Sequence, residues 1–479
     1  MKASTVAKLE RRVLLSRSTT ATLLAVSLAM SLYALDRGFK LRSDIASAQA
    51  HFLEEESTKR AEYIDRLRAA ETSTAAAAKD KWAGLAMSYA SPAVLPVGPL
   101  AEFSGGASDV SPSTTRVSQW STVDQLFGNY QFQSPAALAA GPFDWAFVVI
   151  FMLPLLMIAL SFDAISSDKE SGRLSLLLSY PVALRDVVTS RLRVRLGAVF
   201  FIYALISTLG LVMGLDSGEV GARLVRFLAW SGVGLLYLLW WSALLAWVVS
   251  RNRGSQTTVL AMTALWAVLC LVMPSLTGGI AEALYPSPSR LDFLSEVRSE
   301  EGRAYLAQEE LVKELSHGHA ELSPEDYSLP AYIRTAFVVS RTVDRKVQPI
   351  LQKFDDAYSA RRDFLGIVQY ASPAVVALHA FNDAAGTGLA RFKTFEAEAR
   401  AYKSTLAGRL EKRILAGERL TLKEVEAMPD FQFQEPSFTK IVGQAMWPGL
   451  YLLVLAGAFA RRADQNLRRL QTRIGEAQD

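Results

Sequence analysis

Cysteine is almost absent from this chain of 479 residues, in which Cys270 is the single example. One thiol can form neither an intrachain disulfide nor a multi-thiol metal site, and it leaves the redox compartment open. Histidine is scarce as well. Of the four histidines, only His317 and His319 are close in sequence, and no third ligand stands at a recognisable spacing. The sequence therefore predicts no metal site.

Motifs for nucleotide binding and for common catalytic chemistry are also missing. No stretch has the form GxxxxGK(S/T) of a phosphate-binding loop, and none resembles LSGGQ. The GxSxG and HExxH patterns of hydrolases and metalloproteases do not occur either. We therefore expect a non-catalytic chain that needs no cofactor and does not bind ATP in the usual way.

Charge is missing from the interiors of six apolar runs. Each run is long enough to cross roughly 30 Å of hydrocarbon as a helix. The predicted fold class is therefore all-α, a polytopic membrane protein with six transmembrane helices. Proton or ion coupling is disfavoured, because carriers of that kind keep ionisable residues along their path. The predicted spans are residues 18–35, 145–162, 196–215, 228–250, 257–276 and 441–460.

Lysine and arginine concentrate in both termini, in the connection 163–195 and in the turn 251–253. The positive-inside rule assigns these segments to the cytoplasm, so residues 1–17 and 461–479 are predicted to be cytoplasmic termini. The basic residues follow the side of the membrane rather than one patch, so a nucleic-acid partner is not expected. A cleaved signal peptide is the alternative for residues 18–35, and it would leave five spans.

Residues 36–142 and 277–440 are predicted to form two helical extracytoplasmic arms. The hexapeptide Tyr-Ala-Ser-Pro-Ala-Val occurs once in each arm. Its first copy begins at Tyr89 and contains Pro92, and its second begins at Tyr370 and contains Pro373. Either the arms are distant copies of one plan, or the match is a coincidence in an alanine-rich chain.

The connection 163–195 combines charge, a glycine, a leucine run and a proline. This order predicts a short amphipathic helix at the membrane surface, ended by a turn and followed by a basic helix. The alternative is that any cytoplasmic loop collects arginines and that the leucine run is only interfacial. The residues that define the segment are Asp163, Asp168, Glu170, Gly172, Leu174, Pro181 and Arg185.

This order resembles the loop after the second span of type-2 ATP-binding-cassette transporter permeases. In that family the loop docks on a nucleotide-binding subunit, so the resemblance implies that residues 163–181 couple the chain to a separate ATPase. Arg173 and the Ala183-Leu184-Arg185 stretch differ from the usual family residues. Residues 379–403 are similar to the second arm of a subgroup described as multi-copper-enzyme-maturation permeases.

The resemblance implies a bacterial inner membrane location, membrane lipid as surroundings, and a second permease, which is either the same or a homologous chain. Three functions remain open at this point. The complex transports an amphipathic substrate, or it transmits force through its arms to an extracytoplasmic maturation or envelope-assembly partner. As a third possibility, the chain is a passive membrane scaffold.

Overall fold

The computed structural model describes residues 3–71, 86, 88–118, 142–173, 183–215, 220–251, 254–286, 290–316, 331–415 and 420–476. These residues are helical apart from turns, connections and one antiparallel pair of strands, Ala90–Val94 and Thr114–Ser118. In that pair Ala90 lies opposite Ser118. The all-α prediction is therefore correct for the architecture, and the small sheet is an addition to it.

Six helices are long and apolar enough to cross a membrane, which is consistent with a multi-pass membrane protein. We number them one to six in chain order. Helix one continues without a break far beyond the predicted span 18–35, into the first arm. The six helices are Ser18–Glu71, Trp145–Glu170, Leu184–Met213, Val220–Val249, Ser255–Leu284 and Phe438–Glu476.

The four basic segments lie together at one end of the helix bundle, which we call the loop end. An amino-terminal helix, Ala3–Ser16, packs there against the start of helix three. Arg185 pairs with Asp464 of helix six at 2.9 Å. The Asn466 amide donates to the Ser250 hydroxyl at 3.1 Å, which brings in the turn after helix four. The opposite end carries the arms and is called the arm end.

Helices two and five each contain one π-helical turn shortly before a proline. The π-helical turns are Val148–Met152 and Val268–Val272. Proline has no amide hydrogen, so the carbonyl one turn before it lacks its usual helical donor and can accept from another side chain. The Tyr237 hydroxyl donates to the Ile150 carbonyl at 3.0 Å, and the Trp266 indole donates to the Phe151 carbonyl at 3.1 Å. These bonds join helices four and five to helix two.

Aromatic side chains of helix four fill the centre of the bundle. Tyr237, Trp240 and Trp241 are buried within the protomer. The three rings therefore pack inside a single chain. Towards the arm end, the Trp230 ring stacks on Tyr203 of helix three and on Phe381.

The two arms share one hydrophobic core instead of standing apart. Side chains from the far part of helix one, the strand pair and several second-arm helices pack together there. Phe395 of the second arm and Tyr89 of the first are both fully enclosed. The second-arm helices are Arg290–Leu306, Gln308–Ser316, Ala331–Val368, Pro373–Ala385, Leu389–Leu415 and Leu422–Glu426.

The helix Pro373–Ala385, here called the inserted helix, packs among helices four, five and six. At its start, the Ser372 hydroxyl donates to the Leu269 carbonyl at 2.7 Å, near the middle of helix five. Just before it, the Tyr370 carbonyl accepts from Tyr451 of helix six at 2.6 Å. The sequence placed residues 277–440 wholly in an outer arm, whereas this part of the arm returns into the bundle.

The repeated hexapeptide folds differently in its two copies. In the first copy, Pro92 lies in a strand opposite Arg116, and Tyr89 is buried in the core of the arms. In the second copy, Tyr370 lies in a short 3-10 turn and Pro373 opens the inserted helix. The structure therefore does not support the idea that the repeat marks two copies of one arm plan.

Candidate coupling site

The connection 163–195 is described at residues 163–173 and 183–195, and the leucine run between them lies outside the described residues. The apolar part of helix two ends at Ser161, a turn follows, and Ser166–Glu170 forms a short helix. Gly172 adopts φ 69°, a left-handed conformation that glycine reaches without a steric penalty. The short helix therefore ends where the glycine signal placed a break. Leu174 and Pro181 lie outside the described residues.

A group of ion pairs, the loop cluster, holds this segment. It consists of Glu10, Asp163, Asp168, Arg191 and Arg195. Arg195 is almost completely buried and pairs with Glu10 at 2.5 Å and with Asp163. Arg191 pairs with Asp168 at 2.5 Å. Two predicted residues, Asp163 and Asp168, thus join helix three to the end of helix two, and Glu10 joins the amino-terminal helix to the same arginines.

The arginines of the loop cluster also bind main-chain carbonyls. Arg195 donates to the Leu160 carbonyl at 3.0 Å, and Arg191 donates to the Ala164 carbonyl at 2.8 Å. These carbonyls lie just before and within the turn that ends the apolar part of helix two. The last carbonyls of a helix have no amide donor within the helix, so they need donors from elsewhere. The basic start of helix three is therefore fixed to the carboxyl-terminal end of helix two.

Glu170 connects the segment to helix five. Its carboxylate accepts from the Ser255 amide at 2.7 Å and from the Ser255 hydroxyl at 3.0 Å. A carboxylate at the first turn of a helix satisfies free amides and interacts favourably with the helix dipole. Sequence reasoning placed Glu170 on a docking surface, and the structure adds a second role, because Glu170 caps helix five.

Arg185 ties the far end of the segment to helix six through Asp464. Next to it, the Leu184 amide donates to the Gln471 side chain at 3.2 Å. Asp163, Asp168, Glu170 and Arg185 are thus brought together at the loop end. Between them, they contact helix three, the start of helix five and helix six, and Asp163 also contacts Arg17 next to the amino-terminal helix. A displacement of this segment would be passed directly to those helices.

A second buried group, the arm cluster, lies at the opposite end. Glu102 of the first arm is fully buried, and it pairs with Arg223 of helix four and with Arg42 of helix one at 3.0 Å. Burial raises the pKa of Glu102, and the two guanidinium groups oppose that rise. The arm cluster comprises Arg42, Glu102, Arg223, Arg226, Arg391 and Glu435.

The other half of the arm cluster joins the second arm to helix four. Glu435, just before helix six, pairs with Arg226 at 3.2 Å and also with Arg391. Arg226 donates to the Ala384 carbonyl at the end of the inserted helix, at 3.3 Å. Arg391 donates to the Pro96 carbonyl of the first arm at 3.0 Å. Both arms are therefore fixed to the arm end of helix four.

Sequence reasoning did not find the arm cluster. Its six charged residues come from separate parts of the chain, and single charges in polar segments are usually solvated. One signal was available: Arg223 and Arg226 stand one helical turn apart, immediately before an apolar run. Spacing of that kind places both on one face of a helix.

Comparison with known families locates one region of the chain. Residues 290–434 match the domain of unknown function DUF3526. The match covers most of the second arm, including the inserted helix and Arg391, and it ends just before Glu435. No curated protein and no solved structure matches the chain.

Proposed function

We propose that this chain is the membrane-spanning permease subunit of an ATP-binding-cassette transporter. In this proposal ATP is hydrolysed on a separate nucleotide-binding subunit, which docks at residues 163–181. The observation that carries the proposal is the contact pattern of the predicted docking segment. Asp163 and Asp168 pair with arginines of helix three, Glu170 caps helix five, and Arg185 pairs with helix six. An element built in this way suits the transfer of motion from a partner below the membrane.

The proposed orientation places the loop end in the cytoplasm of a bacterium and the arms outside its inner membrane. All four basic segments gather at the loop end, in agreement with the positive-inside rule. Both termini are then cytoplasmic. An extracytoplasmic position also suits the shared core of the arms, which are attached to the bundle by the arm cluster.

A second permease, the same or a homologous chain, completes the proposed complex. Helix five leaves most of its apolar surface uncovered within one protomer, with Leu260, Leu271 and Leu276 all exposed. Two nucleotide-binding subunits would close on ATP beneath the permease pair and press on both docking segments. Helices two and three then tilt, and the arm cluster passes the change to the arms. The cargo we favour is amphipathic, such as a lipid-linked molecule or a peptide.

Force transmission to an extracytoplasmic partner is the second candidate. The large arms favour it, because a simple exporter needs little mass outside the membrane. The arm cluster favours it too, since buried ion pairs connect both arms to helix four. In this version the same ATPase drives the arms, and no substrate crosses the bundle.

Glu170→Arg should abolish ATP hydrolysis that depends on the permease, while expression and membrane insertion remain normal. The substitution reverses the charge on the docking segment and removes the cap from helix five. The measurement is ATPase activity of the complex purified in mild detergent through a tag on this chain. Leu174→Asp should have the same effect, because an ionised side chain would replace an apolar docking residue.

Glu54→Arg is the matched control, since it makes the same charge change on an exposed position in the arm part of helix one. It should keep the hydrolysis of the unaltered complex. Normal hydrolysis in both Glu170→Arg and Leu174→Asp would refute the coupling assignment. Purification of the unaltered chain without any ATPase subunit would refute the proposed function as a whole.

The orientation is tested by labelling single cysteines in a Cys270→Ala background. Glu309→Cys lies on an exposed helix of the second arm, and Ser171→Cys lies on the exposed part of the docking segment. An impermeant thiol reagent added to sealed cells should modify Glu309→Cys and leave Ser171→Cys unmodified. Opening the inner membrane should then make Ser171→Cys reactive. The reverse pattern would invert the proposed topology.

A further inference from the structure

A cleft with one charged side and one apolar side opens at the loop end, between the amino-terminal helix and helices one, two and five. Its volume is about 360 Å³, at the lower end of the range of small-molecule sites. The polar lining consists of Arg17, Thr19, Thr20 and the ion-paired Glu10, Asp163 and Arg195, and the apolar lining includes Leu23, Phe162 and Val259. The cleft therefore suits a molecule that carries a polar group next to a hydrocarbon chain.

Arg17 is the single residue between the amino-terminal helix and helix one. About half of its side chain is exposed, and its guanidinium group lies 3.5 Å from Asp163. Asp163 also pairs with the buried Arg195, so its carboxylate is shared. The contact to Arg17 is long and exposed, which makes it a weak ion pair. Arg17 therefore retains the capacity to bind an anion.

The two carboxylates that line the cleft, those of Glu10 and Asp163, are both paired with the buried Arg195, and exposed basic residues lie next to the cleft. The amino-terminal helix exposes Lys8, Arg11 and Arg12, whereas its only acidic residue, Glu10, is buried against Arg195. Its exposed side also carries Leu9 and Val13, two apolar residues. Basic and apolar residues on the exposed part of a helix are typical of helices that lie at the surface of anionic membranes.

We propose that this cleft binds an anionic phospholipid of the cytoplasmic leaflet. The lipid phosphate accepts hydrogen bonds from Arg17 and from the threonine hydroxyls, and an acyl chain begins along Leu23 and Phe162. Bound there, the lipid braces helix one against helix two beside Asp163. The inference uses the membrane orientation of the proposed function but does not depend on the ATPase.

The test is native mass spectrometry of the full chain, purified in mild detergent and supplied with phosphatidylglycerol. The unaltered chain should retain one lipid adduct, and Arg17→Ala should reduce its occupancy about tenfold, as the loss of a charge-assisted hydrogen bond implies. Arg12→Ala is the matched control, because Arg12 is exposed on the adjacent amino-terminal helix and does not line the cleft. It should change occupancy less than about twofold.

Two further measurements identify the source of the anion and test for an effect of misfolding. An excess of inorganic phosphate should not displace the lipid, and displacement would mean that the cleft is a site for free anions. Leu23→Trp should fill the apolar side and also lose the adduct, even if Arg17→Ala aggregates. Equal loss in Arg17→Ala and Arg12→Ala, or full retention in Arg17→Ala or Leu23→Trp, would overturn the proposal. The failure of this test would leave the ATPase co-purification unaffected, so the two proposals fail separately.

Discussion

Glu102→Leu is expected to lower the free energy of unfolding by about 3–5 kcal/mol, because the change leaves a buried arginine without its carboxylate. Arg223 is almost completely buried, and Glu102 is its ion-pair partner from the first arm. The same carboxylate also holds Arg42 of helix one. The measurement is the unfolding transition of the purified chain in detergent, followed by tryptophan fluorescence.

Glu55→Leu is the control, because Glu55 pairs with Lys59 on an exposed part of helix one. Exposed pairs contribute little to stability, so the transition should barely move. The double variant Glu102→Leu/Arg223→Met removes both charges and should recover much of the loss, since apolar replacement of a whole buried pair is often tolerated. Equal transitions for Glu102→Leu and Glu55→Leu would show that the arm cluster does not stabilise the fold.

Gly38→Ala is expected to have a comparably large effect for a steric reason. Helix one passes so close to the first arm that a β-carbon at this position would overlap the Glu102 carbonyl group, with the carbonyl carbon at 2.7 Å. That neighbour is main chain and cannot rotate away. The helix or the Glu102 segment must shift, and a shift of the Glu102 segment would disturb the arm cluster as well.

Gly302→Ala supplies the comparison for Gly38→Ala. Gly302 lies on an exposed helix of the second arm, and a β-carbon there meets no atom within 4 Å. Alanine favours helix over glycine by about 1 kcal/mol, so this variant should be neutral or slightly more stable. A Gly38→Ala transition as high as that of Gly302→Ala would contradict the close approach of helix one to the arm.

The long helices were predictable from the sequence, because an apolar run without charge has few alternatives to a membrane-spanning helix. The inserted helix was not. Its apolar stretch from Ala374 to Phe381 is too short to span a bilayer, and the sequence analysis included it in the arm 277–440. Its place is determined by long-range contacts, such as the packing of Trp230 on Phe381 and the bond from Ser372 to helix five.

The candidate coupling site was predictable in part. The order of charges and the glycine located Asp163, Asp168 and Glu170, since local sequence controls where a helix ends. Their partners could not be derived in the same way. Arg195 and Glu10 are far apart in the chain, and no local rule indicates that they pair with each other next to Asp163. The arm cluster shows the same limit, because Glu102 and Arg223 belong to different elements.

Helix one is continuous from the loop end to the arms, so a change in its tilt at one end would displace its other end. One continuous helix joins the loop end near Leu23 to the shared core of the arms near Tyr63. Its part beyond residue 35 is about 50 Å long at 1.5 Å per residue, so a tilt of roughly 5° would move its far end by about 5 Å. A small change in the tilt of helix one would thus move the core of the arms by about the length of one helical turn.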